Sequence, residues 1–168
     1  MTTAIHRRVV ACRAGADPTL ITRMPSGWAV MGDPQVLRGY CLLLPDPVVP
    51  HLNALESRHR AQFLQDMASL GDAVLAATGA LRINYAMFGN LEPALHAHVV
   101  PRYADEAPAL RTVHPWAYDW AAAPALAWRA CAGGSRAGAS SPTTTATGSA
   151  SAARSPAAPS RWPGWRTM

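Results

Sequence analysis

The sequence predicts an α+β protein in which an antiparallel sheet packs against one main helix, with a disordered tail at the C-terminus. Three observations carry that reading. Strand-like stretches flank one long helical pattern in the order β-β-α-β-β. The connection between the last two strands is short, as suits antiparallel neighbours. Beyond Trp128 the apolar periodicity gives way to Ser, Thr, Pro, Gly and Ala.

Gly27 to Asp33, "GWAVMGD", reads as a short strand stopped by Gly-Asp-Pro. Val36 to Pro45, "VLRGYCLLLP", reads as a longer strand with a β-branched start and an apolar end. The prolines of "PDPVVPH" fix φ and remove donors, so neither kind of regular element continues there. From Asn53 to Ala80 the pattern is helical: Phe63, Met67, Leu70 and Val74 recur on one face. Asn53 or Ser57 would cap its start, Asn53 and Glu56 have capping-box spacing, and Gly79 is a natural terminator. Leu81 to Gly89 alternates as a strand, Gly-Asn-Leu-Glu-Pro makes a loop, and "ALHAHVVP" forms the last strand.

With 168 residues, 49% of them apolar, the chain suits one domain with a real core. We expect the folded domain at residues 1–128 and the tail at 129–168, too poor in apolar surface to offset its ordering entropy. A shift of reading frame near Arg129 would produce such a segment. No apolar run reaches the roughly 18 residues of a membrane span, and "VVAC" near the N-terminus is too short for a secretory signal. Cys12, Cys41 and Cys131 are odd in number and lack metal-ligand spacing, so they read as reduced thiols of a cytoplasmic protein. The net charge of +5 suggests a polyanion, but its distribution argues against one. All ten acidic residues lie at or before Asp119, as do ten arginines; the excess is Arg129, Arg136, Arg154, Arg161 and Arg166. Neither nucleic acid nor a membrane is an expected partner.

The stretch "LEPALHAHVVPRY" holds the candidate chemistry. In a strand over 94–100, Leu95, Ala97 and Val99 point to one face, while His96 and His98 point to the other. The Leu/Ala/Val face is the expected core face, so both imidazoles would project outward from the opposite one. An idle, solvated His-Ala-His is one reading. A metal pair completed from His6, His51, His59 or His114 is a second, though none of these has diagnostic spacing. Phosphate chemistry is the third. A neutral imidazole can attack phosphorus, carry a nucleotidyl group covalently and release it to water without a metal or cofactor. A second imidazole on the same face can donate to a phosphate oxygen or to the leaving group.

"ALHAHVVPRY" resembles the signature of the histidine-triad superfamily of nucleotide hydrolases and transferases, His-φ-His-φ-His-φ-φ followed by Pro-Arg. On that alignment His98 matches the third histidine and His96 the central one, the family's nucleophile. The first falls on Ala94. "LRGYCLLLP" is similar to the family's Gly-His-φ-φ-φ-φ-Pro strand, with Tyr40 where a histidine is common, and "RINYAMFGN" to the strand before the triad. The likeness runs over about residues 17 to 105. It implies His96 as nucleophile at an α-phosphate, His98 as a stabiliser of phosphoryl charge, and Asn84 at the ribose or phosphate. Further candidates are Arg102, which would suit phosphate or else pair with Asp105 or Glu106, Glu92 as a substitute proton donor, and Asn90 in the turn. His114 and Trp116 either fold back over the site or pack the domain edge with Tyr118 and Trp120. The resemblance further implies a homodimer acting on nucleoside phosphoramidates or dinucleoside polyphosphates. With Ala94 and Tyr40 in place of two imidazoles, a catalytically degenerate nucleotide-binding protein of the same fold is the alternative.

Overall fold

A computed structural model describes residues 2–126 of the chain. The tail expected at 129–168, with Cys131 in it, lies outside the described residues. Among the described residues two α-helices and five strands follow one another: α1 (Ala4–Arg13), β1 (Leu20–Met24), β2 (Gly27–Met31), β3 (Cys41–Pro45), α2 (Ser57–Thr78), β4 (Arg82–Ala86) and β5 (Ala97–Arg102). The strands form one sheet in the order β1-β2-β3-β5-β4, every neighbouring pair antiparallel. The expected fold class is therefore the observed one.

The main helix lies against one face of the sheet. Phe63, Leu70 and Val74 of α2 are buried with Leu43 of β3 and Leu95, Ala97 and Val99. Phe63 is fully enclosed; burying such a ring contributes about 1.5–3 kcal/mol. Asp66 is buried on the same face, where it accepts from the Ser26 amide (2.7 Å) and hydroxyl (2.6 Å) and from Gln62 (2.8 Å). Gly79 ends the helix with φ at 68°, in the left-handed region, and donates to the Leu75 carbonyl. The start differs from expectation. Leu52–Ala54 form a separate 3-10 turn, Leu55 is extended, and α2 begins at Ser57 behind Glu56 with no side-chain cap. Asn53 and Glu56 therefore do not form a capping box.

The larger correction concerns the other face. Ile5, Val9 and Cys12 of α1 pack there against Val30, Leu42, Leu44, Ala94 and Val100. The sheet thus has a core on each side, and β3, buried along all five residues, runs between them. The strand expected from Val36 begins only at Cys41. Gly39, with φ at 86°, and a bond from the Tyr40 amide to the Leu37 carbonyl make a turn of the residues before it. Neither α1 nor β1 was foreseen from the sequence. Among the described residues no helix is long and apolar enough to cross a membrane.

Candidate active site

The alternation expected of the last strand holds although regular pairing starts only at Ala97. Leu95, Ala97 and Val99 face α2, Ala94 and Val100 face α1, and the imidazoles of His96 and His98 lie together on the α1 side. Their centroids are 4.8 Å apart, with planes at 70°. They do not project freely outward, because that face carries its own packed layer. His96 is buried and His98 half-buried.

Each ring is held by a bond to Nδ1. That of His96 is 2.8 Å from the carbonyl oxygen of Ala94. A carbonyl only accepts, so neutral His96 carries its proton on Nδ1 and keeps a lone pair on Nε2. His98 pairs with Leu42 of β3 and Ala86 of β4, so it sits between two strands. Its Nδ1 is 2.6 Å from the hydroxyl of Tyr40, whose ring lies within 8° of parallel to the imidazole. Burial, reinforced by the neighbouring His96, pushes the pKa of His98 down to about 4. His98 is therefore uncharged at neutral pH. Trp116 stands edge-on to it at 4.7 Å, and Phe88 closes the group at 4.9 Å from Trp116. The His-Pro-Trp segment thus folds back over the imidazoles.

His96 opens onto a cavity of about 320 Å³, lined by Pro50, His51, Leu52, Asn53, Met87 and Phe88 among others. That size lies at the small end of ligand clefts, roughly 300–1,000 Å³. The two segments forming its walls are joined by the Leu95 amide, which donates to the Val49 carbonyl at 2.7 Å. The sequence offered His51 as a candidate metal ligand and Asn53 as a helix cap; the fold makes both cavity wall instead. A cleft of about 330 Å³ beside Phe63 and Leu55, on the α2 face, is lined by His59 but by neither His96 nor His98.

The other candidates lie apart from the imidazole pair. Asn84 pairs with Val100, one row along the sheet from His98, and lines a cleft of about 340 Å³ with His114 and Trp116. Asn90 is exposed in its loop. Glu92 accepts from the amides of Ala4 (3.2 Å) and Ile5 (3.4 Å) at the start of α1. Burial raises its pKa, but bonds from Thr3, Ile5 and Ala4 and the charge of His96 outweigh that and hold it low. A carboxyl so held is ionised and suits a helix terminus, not the role of proton donor. Arg102 is buried at the far end of β5. Its guanidinium binds both oxygens of Glu106, at 3.0 and 2.7 Å, and the carbonyls of Leu110, Arg111 and Val113. The pairing with Glu106 is the one the sequence offered as the alternative to phosphate, and it occupies the fork. Among the described residues no three His, Cys, Asp or Glu side chains converge as metal ligands, and Cys12 and Cys41 are free and buried.

Neither a family model nor a curated protein matches the sequence; solved structures do. A Hit-like protein involved in cell-cycle regulation from Bartonella henselae, crystallised with an unknown ligand, superposes with a TM-score of 0.55 at 16% identity. The match covers 62% of this chain and 82% of that one. A HIT family member from Bacillus subtilis gives 0.51 at 19% identity, over 65% and 83% of the two chains. One from Bacillus anthracis gives 0.50 at 18%, over 56% and 72%. The chain has a HIT-like fold. Within the HIT-like fold, β5 carries His98 with His96 just before it, and Tyr40, just ahead of β3, is brought beside His98. The sequence treated Tyr40 only as a lost imidazole; its hydroxyl instead engages the third-histidine position. The available signal was its place two residues before Leu42, the partner of His98, which puts it on the same sheet face.

Proposed function

We propose that the chain is a nucleotide hydrolase or transferase that cleaves at the α-phosphate through a nucleotidyl-histidine on His96. The observation that carries this reading is the bond from His96 Nδ1 to the Ala94 carbonyl, which leaves Nε2 as a free lone pair beside a cavity. His98, neutral and 4.8 Å away, supplies a second polar group for the charge developing on the phosphoryl oxygens. The nucleoside would occupy the cavity between Leu52 and Phe88, whose apolar walls suit a base and whose His51 and Asn53 suit its polar edge. Asn84, in the neighbouring cleft, is the candidate for the far side of the phosphate chain. Arg102 and Glu92 are engaged elsewhere, by Glu106 and by the start of α1, and are assigned no role in this scheme. The HIT-like fold supports the same reading, and substrates of the nucleoside phosphoramidate or dinucleoside polyphosphate class fit it. We further propose a cytoplasmic homodimer.

The test is to trap the adduct. The purified chain is mixed with a substrate labelled at the α-phosphate and quenched in alkali, which preserves phosphorus–nitrogen bonds to histidine. Label is expected on His96 by peptide mapping, and none on His96→Ala. Ala94 is fully enclosed where the family pattern has its first histidine, which favours binding without turnover as the second reading. Nucleotide-dependent stabilisation with no adduct and no turnover would select it.

A further inference from the structure

We propose that Tyr40 locks His98 as a hydrogen-bond donor that keeps its proton, so that the site cleaves bonds to groups departing as anions in preference to amines. The inference rests on the nucleotidyl-histidine reading above and narrows its substrate class to phosphoanhydrides.

Tyr40 is buried at 4% exposure, and its hydroxyl has one partner among the described residues, Nδ1 of His98 at 2.6 Å. A buried phenol holds a single proton. If Nδ1 were itself protonated, the phenolic proton would have no acceptor; the pair is satisfied only when the phenol donates and Nδ1 accepts. His98 then carries its proton on Nε2. The two imidazoles thus hold opposite tautomers, one presenting a lone pair and the other an N–H.

The phenol cannot turn away. Gly32 lies flat against its ring: a Cβ there would sit 2.1 Å from Cδ1. The Tyr40 carbonyl accepts from the Gly32 amide and from the Gln35 side chain, both at 2.9 Å, and Trp120 packs edge-on at 5.6 Å. For His98 to give up the Nε2 proton, its Nδ1 would have to take the phenolic one and leave a phenolate. Burial pushes the Tyr40 pKa well above its ordinary value, so the enclosed site opposes that charge.

The steps balance without proton transfer to the leaving group. The Nε2 lone pair of His96 forms a bond to the α-phosphorus as the bridging P–O bond breaks. The bond pair leaves on a phosphate oxygen, to which His98 donates a hydrogen bond from Nε2–H. His96, now bonded to phosphorus, keeps its Nδ1 proton on the Ala94 carbonyl. Water then attacks phosphorus, the P–N pair returns to Nε2, and the water's proton passes to solvent. An amine would have to depart as an amide ion or find a proton elsewhere.

The test uses the full chain with diadenosine tetraphosphate, aryl esters of AMP with phenols of graded acidity, and the benzylamidate of AMP. Expected for the wild type is a steep series, falling about tenfold per pKa unit of the phenol, with the amidate at least ~100-fold slower than the anhydride. Tyr40→His, which puts a second titratable imidazole beside His98, should flatten the series and raise the amidate rate. Nitrogen-15 NMR of the imidazoles supplies a readout independent of turnover. His98 should show a bare Nδ1 and a protonated Nε2, and Tyr40→Phe should average the two signals. A flat series, or equal rates on amidate and anhydride, overturns the inference while leaving the nucleotidyl-histidine reading standing. A protonated Nδ1 in the wild type overturns it whatever the rates. Absence of turnover on every substrate instead sinks the hydrolase reading and the leaving-group preference with it.

Discussion

The indole of Trp116 meets the imidazole of His98 edge-on, centroids 4.7 Å apart and planes at 89°. Such pairs contribute about 0.5–1.5 kcal/mol beyond the area they cover, and this one also keeps water from the histidine. Burial is the main cause of the depressed His98 pKa. Trp116→Ala should therefore raise that pKa from about 4 towards 6.5, read by NMR titration of the ring. An unchanged value would mean that the shielding comes from Tyr40 and the strand floor instead.

His98 also makes stability depend on pH in a defined window. Its pKa is lower in the folded chain, about 4, than the unfolded value of 6.5. Between these values the unfolded chain binds a proton that the folded chain refuses, so stability is full above pH 6.5 and falls as pH drops towards 4. The loss should reach about 2–3 kcal/mol by pH 4.5. Urea denaturation at pH 7 and 4.5 measures it, and His98→Phe should remove most of the difference. The carboxyl of Glu106, held down to about 2, contributes in a separate range below its ordinary 4.5.

Arg102 and Glu106 tie the segment carrying Trp116 to the end of β5. Both side chains are buried, and the guanidinium also binds three carbonyls of residues 110–113. Arg102→Ala would strand a buried carboxylate and should cost about 3–5 kcal/mol in urea denaturation. Arg102→Lys should recover little, since an ammonium cannot reproduce the fork. A cost below about 1 kcal/mol would place the pair among exposed ion pairs instead.

Two glycines offer a contrast. A Cβ at Gly32 would meet the ring of Tyr40 at 2.1 Å, with that ring enclosed on all sides. A Cβ at Gly71 would meet the hydroxyl of Tyr85 at 2.0 Å, but Tyr85 is 42% exposed and can swing outward. Gly32→Ala should cost about 1–3 kcal/mol and disturb the His98 nitrogen signals. In Gly71→Ala, a helical gain of about 0.5–1 kcal/mol offsets the displacement, leaving the melting temperature nearly unchanged. Equal losses would show Tyr85 to be as rigid as Tyr40.

Several features were legible because they follow from local periodicity. Phe63, Leu70 and Val74 recur at helical spacing and do face the sheet, and Gly79 stops the helix by adopting a backbone conformation other residues resist. The second helix and second core were missed, yet both left traces. Ile5, Val9 and Cys12 recur four and three residues apart behind Thr3, which caps α1. Cys41 to Leu44 is continuously apolar where a half-buried strand would alternate. Arg102 and Glu92 were harder, because a charged side chain near a motif suits phosphate, a buried carboxylate or a helix terminus equally well. Only their neighbours choose among these.

That His96 and His98 share one face, opposite Leu95, Ala97 and Val99, was determined by the chain alone, since side chains in an extended backbone alternate whatever surrounds them. The tautomer of His96 is nearly as local, resting on the carbonyl two residues before it. What His98 can do was decided only in three dimensions. Its Nδ1 partner comes from Tyr40, 58 residues earlier, and its shield from Trp116. A hydrogen bond and an excluded solvent shell depend on distance in space, and strand pairing sets that distance.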